Sequence, residues 1–385
     1  MNAAPLLMPL ALCWPFLSMA MLAACPRPSV RAASIGLAAA GLVLAVLAAC
    51  LGGAWPATPF AVPSGLLRVL LPLPLLALVL VMLSPSPGAF MGVSPGTVTG
   101  ASRGTMALMH GLAGGSAVAT ACADPLSGAV AVGGVAMLAA LATATTRGAA
   151  RLGWDAFRLN LSGILLAVPG AVLLVATPDA AGRLDGLGGV LLTVGLGTVA
   201  GLGPAAPVVM VAGDAPAAMA LAPVMTAIPV LRHLVAGPDG TGTMLLGIVT
   251  LWLMVLPMRD ASPARAARLA LGGMIGLAAV AAGAGGRAGM AGMVALLASA
   301  ALSAPLGERG AAWSLRPPFL PFGGLVLTLV AVCDAAPLLL VPLVAAVVAG
   351  RGSIRAAPPG EEPVAWLVTG LLLAGMAVLV GLVVR

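Results

Sequence analysis

Gly195-Leu-Gly-Thr-Val-Ala-Gly-Leu-Gly-Pro204, followed by Pro207, Asp214 and Pro216, is an apolar segment of membrane-spanning length interrupted in its middle. Pro204 and Pro207 each lack a backbone N–H, and each ring collides with the carbonyl one turn back. Gly195, Gly197 and Gly201 loosen the same stretch. In lipid a freed carbonyl finds no water, so a broken helix at membrane depth survives only inside protein or beside a wet cavity. The spacing therefore predicts a discontinuous helix near 195–207. Such helices near the bilayer midplane recur where ions are handled. Asp214 lies between two apolar runs, which makes it a candidate for that role. A plainer reading stands beside it: Gly and Pro are frequent in membrane helices, and Asp214 can cap the start of the next one.

The rest of the chain is of one kind. It has 385 residues, 61% hydrophobic and 8% charged, with a mean hydropathy of +1.15. No water-soluble core hides that much apolar surface, so the chain is polytopic in a membrane. The apolar runs do not alternate with polar residues as barrel strands would, so the fold class is all-α. At roughly 20 residues per span, the length allows about 12 to 14 helices. Fourteen are expected, at about 5–25, 32–54, 67–85, 104–123, 126–145, 158–177, 187–210, 211–236, 242–258, 269–286, 288–306, 319–334, 335–350 and 363–384. No stretch between them is long enough for a soluble domain, so residues 1–385 are expected to form a single integral membrane domain.

All 18 basic residues are arginine, and there is neither Lys nor Tyr. The net charge of +7 implies no nucleic-acid partner, because the arginines are scattered and form no basic block. They do report orientation. With fourteen spans and the N-terminus outside, thirteen arginines fall inside and five outside. The positive-inside rule predicts this bias, and one span more or fewer in the middle would scramble it. The five Cys have no metal-type spacing. There is no phosphate-cradling loop, nucleophile elbow, paired-histidine zinc motif or CxxC. His110 lies in a span and His233 near a span end, isolated from each other. The residues point to no catalytic site of the chain's own, no metal and no cofactor.

The central stretch resembles a known family: the antiporter-like, proton-conducting membrane subunits of respiratory complex I, formate hydrogenlyase, other energy-converting hydrogenases and multisubunit sodium/proton antiporters. The family motif runs GxGTKAGLxP and continues through a proline-rich stretch to a helix ending near LLR. Here Gly195–Pro204, Asp214-Ala-Pro216 and Val230-Leu-Arg232 stand in that order. Asp124-Pro-Leu, Arg158-Leu-Asn-Leu-Ser-Gly163 and Leu296-Leu-Ala-Ser-Ala-Ala-Leu-Ser-Ala-Pro-Leu306 match further segments. The motifs cover about residues 120–310 and imply an antiporter-like region at about 104–310. The family's fourteen spans with both termini outside agree with the arginine count. The resemblance implies a multi-pass protein of a bacterial inner membrane, surrounded by lipid and by the other membrane subunits of a larger complex.

The departures fall on the chemistry. The family's central lysine falls on Val199, the histidine after the broken helix on Ala206, the distal lysine on Ser303 and its nearby histidine on Ser299. The acidic residue of the fifth span falls near Gly134. A buried lysine passes protons because burial brings its pKa within reach of neutral pH; valine has nothing to titrate. The resemblance thus implies a member with the scaffold kept and the relay removed, a structural subunit of an NADH dehydrogenase-like or hydrogenase-type proton-translocating complex. Two other readings remain. One is a remnant ion pathway through Asp214, Thr198, Ser303, Ser299, His110 and Asp334. The other is a secondary ion or small-molecule transporter with its site at the broken helices. The orientation is testable directly: a periplasmic reporter fused after Arg385 should be active, and the same reporter placed at Arg147 should be silent.

Overall fold

The computed structural model describes residues 4–24, 30–51, 65–83, 103–145, 150–176, 183–210, 218–235, 239–304, 319–351 and 368–376. Every element in them is a helix. The first six are Ala4–Ala24 (α1), Val30–Leu51 (α2), Gly65–Leu70 (α3), Leu73–Leu83 (α4), Arg103–Ala121 (α5) and Pro125–Ala144 (α6). Next come Ala150–Ala176 (α7), Arg183–Val199 (α8), Ala206–Met210 (α9), Ala218–Val235 (α10) and Gly240–Val255 (α11). Pro263–Ala284 (α12), Gly286–Ser303 (α13), Leu320–Ala335 (α14) and Leu340–Arg351 (α15) follow, with a last helix at 368–376 (α16). Among the described residues nine helices are long and apolar enough to cross a membrane, and Leu221–Val235, Leu320–Ala335 and Pro337–Gly350 are shorter apolar ones. With α5 and α16 they stand at the fourteen expected places. The chain is a multi-pass membrane protein.

Local chemistry sets the ends. Asp124 caps α6 by accepting the Ser127 N–H at 2.7 Å, and Pro125 occupies the first turn, where its missing N–H is harmless. Asp239 caps α11 by accepting the Gly242 N–H at 2.8 Å. The expected span 158–177 begins earlier, at Ala150, so Arg151 and Asp155 are helical and not in a loop. The added turns are interfacial. Trp154 and Phe157 stack with ring centroids 5.4 Å apart, and the Arg158 guanidinium lies 5.2 Å over the indole. Such side chains suit the headgroup layer and carry a helix beyond its apolar stretch.

α10 is the axis of the bundle. It packs on α5, α6, α12 and α13, and residues 221–231 are buried without exception. α5 is the least apolar of the long helices, rich in Gly, Ser and Thr, and it too lies inside, where lipid never meets it. α12 is buried along almost its whole length. The perimeter is apolar, with Val43 of α2, Leu165 and Val175 of α7 and Val348 of α15 exposed. Leu80 of α4, Leu302 of α13, Leu320 of α14 and Leu372 of α16 share one apolar cluster, which joins the early helices to the late ones.

The tightest pairing is α7 against α8. A Cβ at Gly163 would lie 2.8 Å from the Gly195 carbonyl oxygen and 2.7 Å from Val199 Cγ2. Seven residues on, a Cβ at Gly170 would lie 2.8 Å from the Gly188 oxygen. Lipid tails are as apolar as leucine, so membrane helices associate by close packing, and small residues permit it. Gly163→Ala should therefore lower stability by about 1–3 kcal/mol, as overpacking does. Gly134→Ala, where an added Cβ meets nothing within 4 Å, should leave it unchanged or slightly raised. Thermal melting of the detergent-purified protein compares the two.

Candidate functional site: the broken helix and its supports

The expected break is present. α8 ends at Val199, and the Leu202 N–H bonds back to the Gly197 carbonyl at 2.7 Å while the Gly201 N–H bonds to Thr198 at 3.0 Å. Those two bonds, with Gly201 at a φ of 70°, are the Schellman arrangement, which closes a helix and turns the chain. A side chain at 201 would strain that left-handed backbone, so glycine is required there. Gly203–Ala205 then form one 3-10 turn leading into α9. Pro204 and Pro207 face outward, and Gly195, Gly197 and Gly201 face in.

Two breaks in the interior are each paired by a hydroxyl from a neighbouring helix. The Gly203 N–H donates to Thr250 Oγ1 of α11 at 2.7 Å, and that hydroxyl donates in turn to its own Leu246 carbonyl at 2.7 Å. Thr250 is fully buried. In α10, Pro229 cannot donate to the Met225 carbonyl one turn back. Ser116 of α5 donates to that carbonyl instead, at 2.6 Å. Neither Thr250 nor Ser116 is legible as a partner in the sequence, since a hydroxyl inside an apolar span usually bonds only its own helix.

Val199, where the resemblance places a lysine, is 1% exposed. It packs on Gly163 and borders a partly open cavity of about 40 Å³ among α6, α7, α8, α9 and α10. Thr143, Asn160 and Thr226 are the polar residues of the lining, and none of the lining residues is ionisable. Ala206, at the expected histidine, is buried and apolar. Ser299 and Ser303 of α13 are buried; Ser299 donates to its own Ala295 carbonyl at 2.6 Å, and Ser303 Oγ has no partner. Gly134 is exposed on the outside of α6.

The remaining sequence candidates are dispersed. Thr198 donates to Val194 of its own helix at 2.7 Å. His110 is buried in α5, with Nε2 3.0 Å from the Ser34 hydroxyl, which also lies 3.3 Å from Met82 Sδ. Asp334 is exposed at the end of α14. Asp214 lies outside the described residues. No side-chain hydrogen bond joins any two of the described candidates. Among the described residues no group of three His, Cys, Asp or Glu side chains could hold a metal ion.

The polar cluster that does form is elsewhere, where the end of α5 and the start of α6 meet the end of α10. His233 Nε2 is 2.9 Å from the Ala119 carbonyl and Nδ1 is 3.3 Å from an Arg232 guanidinium nitrogen. A carbonyl only accepts and a guanidinium only donates, so Nε2 carries the proton and Nδ1 is bare. A Cβ at Gly128 would overlap that ring, with Nε2 2.5 Å away, so glycine makes room for it. Burial works to raise the pKa of Asp124, but hydrogen bonds from the Ser127 hydroxyl and N–H outweigh it and hold the carboxyl below its ordinary range.

No protein-family model matches the sequence, and no curated protein matches it. Solved structures do. A chain of respiratory complex I from Thermus thermophilus with bound aureothin has a TM-score of 0.73 at 19% identity, over 97% of this chain and 96% of that one. A chain of the membrane-bound sulfane sulfur reductase, an archaeal respiratory membrane complex, gives 0.76 at 16% identity, over 98% and 94%. A chain of the Mrp complex from Dietzia sp. DQ12-45-1b gives 0.78 at 17% identity, over 95% of this chain and 49% of that one. The chain shares their fold.

Within that fold the joint at 200–205 is held by Thr250 of a different span. Thr250→Val keeps the shape and leaves a buried N–H unpaired, which should cost about 1–3 kcal/mol. Thr250→Ser should keep most of the stability. Thermal melting of the two variants checks this, and equal melting would show that the hydroxyl does not support the break.

Proposed function

We propose that this chain is an antiporter-like integral membrane subunit of a redox-linked respiratory or hydrogenase-type complex, and that it supports neighbouring subunits without pumping protons itself. The observation that carries the reading is the cavity beside Val199, whose lining offers no group that titrates. A lateral relay needs side chains that take up and release protons in sequence. Here the matching positions are Val199 and Ala206, Ser299 turned onto its own helix, and Ser303 with nothing charged to offer. The shared fold supports the assignment, since the chains compared above belong to respiratory complexes and to the Mrp complex. The proposal places residues 1–385 as one domain in a bacterial inner membrane, both termini periplasmic, among other membrane subunits and lipid.

Purification of the tagged protein in mild detergent should recover redox subunits with it, and deletion of the chain should disrupt assembly of the complex. A monodisperse, solitary protein would favour a transporter and overturn the assignment. In vesicles the chain alone should take up no protons. Uptake that is lost on Asp214→Asn would overturn the non-pumping role.

A further inference from the structure

Asn160 of α7 stands in the wall of the cavity beside Val199 and is 4% exposed. Its Nδ2 donates to the Ala136 carbonyl of α6 at 3.0 Å. That bond fixes the amide orientation, because the flipped group would set oxygen against oxygen. Its Oδ1 has no partner in the protein. A buried amide oxygen left unpaired is costly. Thr226 of α10 lines the same cavity, and its hydroxyl hydrogen goes to its own Ala222 carbonyl at 2.9 Å. The Thr226 oxygen therefore serves the cavity as an acceptor. The space is about 40 Å³, and a water needs about 10–15 Å³ of it, so it has room for about three.

We propose that this cavity is a permanent internal water site. An ordered water donates one hydrogen to Asn160 Oδ1 and passes the other, directly or through a second water, to the Thr226 oxygen. Both protein atoms accept, so the occupant must donate twice. Water does so without charge, whereas a bare cation would lack the carboxylate that offsets its burial, and an apolar occupant would leave Oδ1 unpaired. The water bridges α7, which packs chiefly on α6 and α8, to α10 at the centre of the bundle. This holds whether or not the chain is a scaffold in a larger complex.

The test is a double-mutant cycle on the purified full-length chain, with whatever subunits accompany it. Asn160→Leu and Thr226→Val should each lower the melting temperature, and the double variant should melt no lower than the worse single one, because both remove the same bridge. Additive shifts, or a raised melting temperature for Asn160→Leu, would overturn the proposal. If a variant fails to fold, a cryo-EM map of the unchanged protein decides. Density about 2.6–3.2 Å from Oδ1, at hydrogen-bond distance, supports the site. An empty cavity in a map that shows other interior waters overturns it.

Discussion

Backbone groups released inside a bilayer have no water to turn to, and that constraint governs where this chain can bend. The Gly203 N–H and the Met225 carbonyl are two such groups, and each is met by one hydroxyl from another span. Thr250 ties the joint to α11, and Ser116 ties the proline-bearing α10 to α5. The breaks are thus the points at which separate helices are bound together. A hydroxyl serves either kind of orphan because it accepts from an N–H, as at Gly203, and donates to a carbonyl, as at Met225.

Small side chains do the rest. α7 and α8 meet backbone to backbone at Gly163, Gly170, Gly188 and Gly195, and Val199 fills the space beside Gly163. Valine is compatible with that closeness, since it carries no charge needing solvent or a partner. On the Gly163 side that packing leaves no room for a longer side chain, and the space left beside Val199 is the small cavity toward Asn160 and Thr226.

Much of this could be read from the residues, because prolines and glycines act locally. Pro204, Gly201 and Gly203 announce the break whatever surrounds them. Arginine placement reports topology because it answers to the membrane and not to the neighbours. Partners are another matter. Thr250 sits in a leucine-rich span like many threonines, and only the fold brings it to Gly203. Asn160 stands inside a recognised segment, yet nothing local marks it as facing a cavity. The sequence candidates are polar residues in or beside apolar runs, and Thr198 and Ser299 spend that polarity on their own helices. The early start of α7 escaped the hydropathy pattern because Trp154 reads as loop until its stacking is seen.

That stack also works as a depth gauge. An exposed indole with a guanidinium on its face settles at the level of the lipid headgroups. Gly163 follows Trp154 by nine residues, which at the helical rise is roughly 14 Å along the axis. Half of the hydrocarbon layer is about 15 Å. The contact of Gly163 with Val199 therefore falls close to the middle of the bilayer, as far from either aqueous phase as the chain can reach.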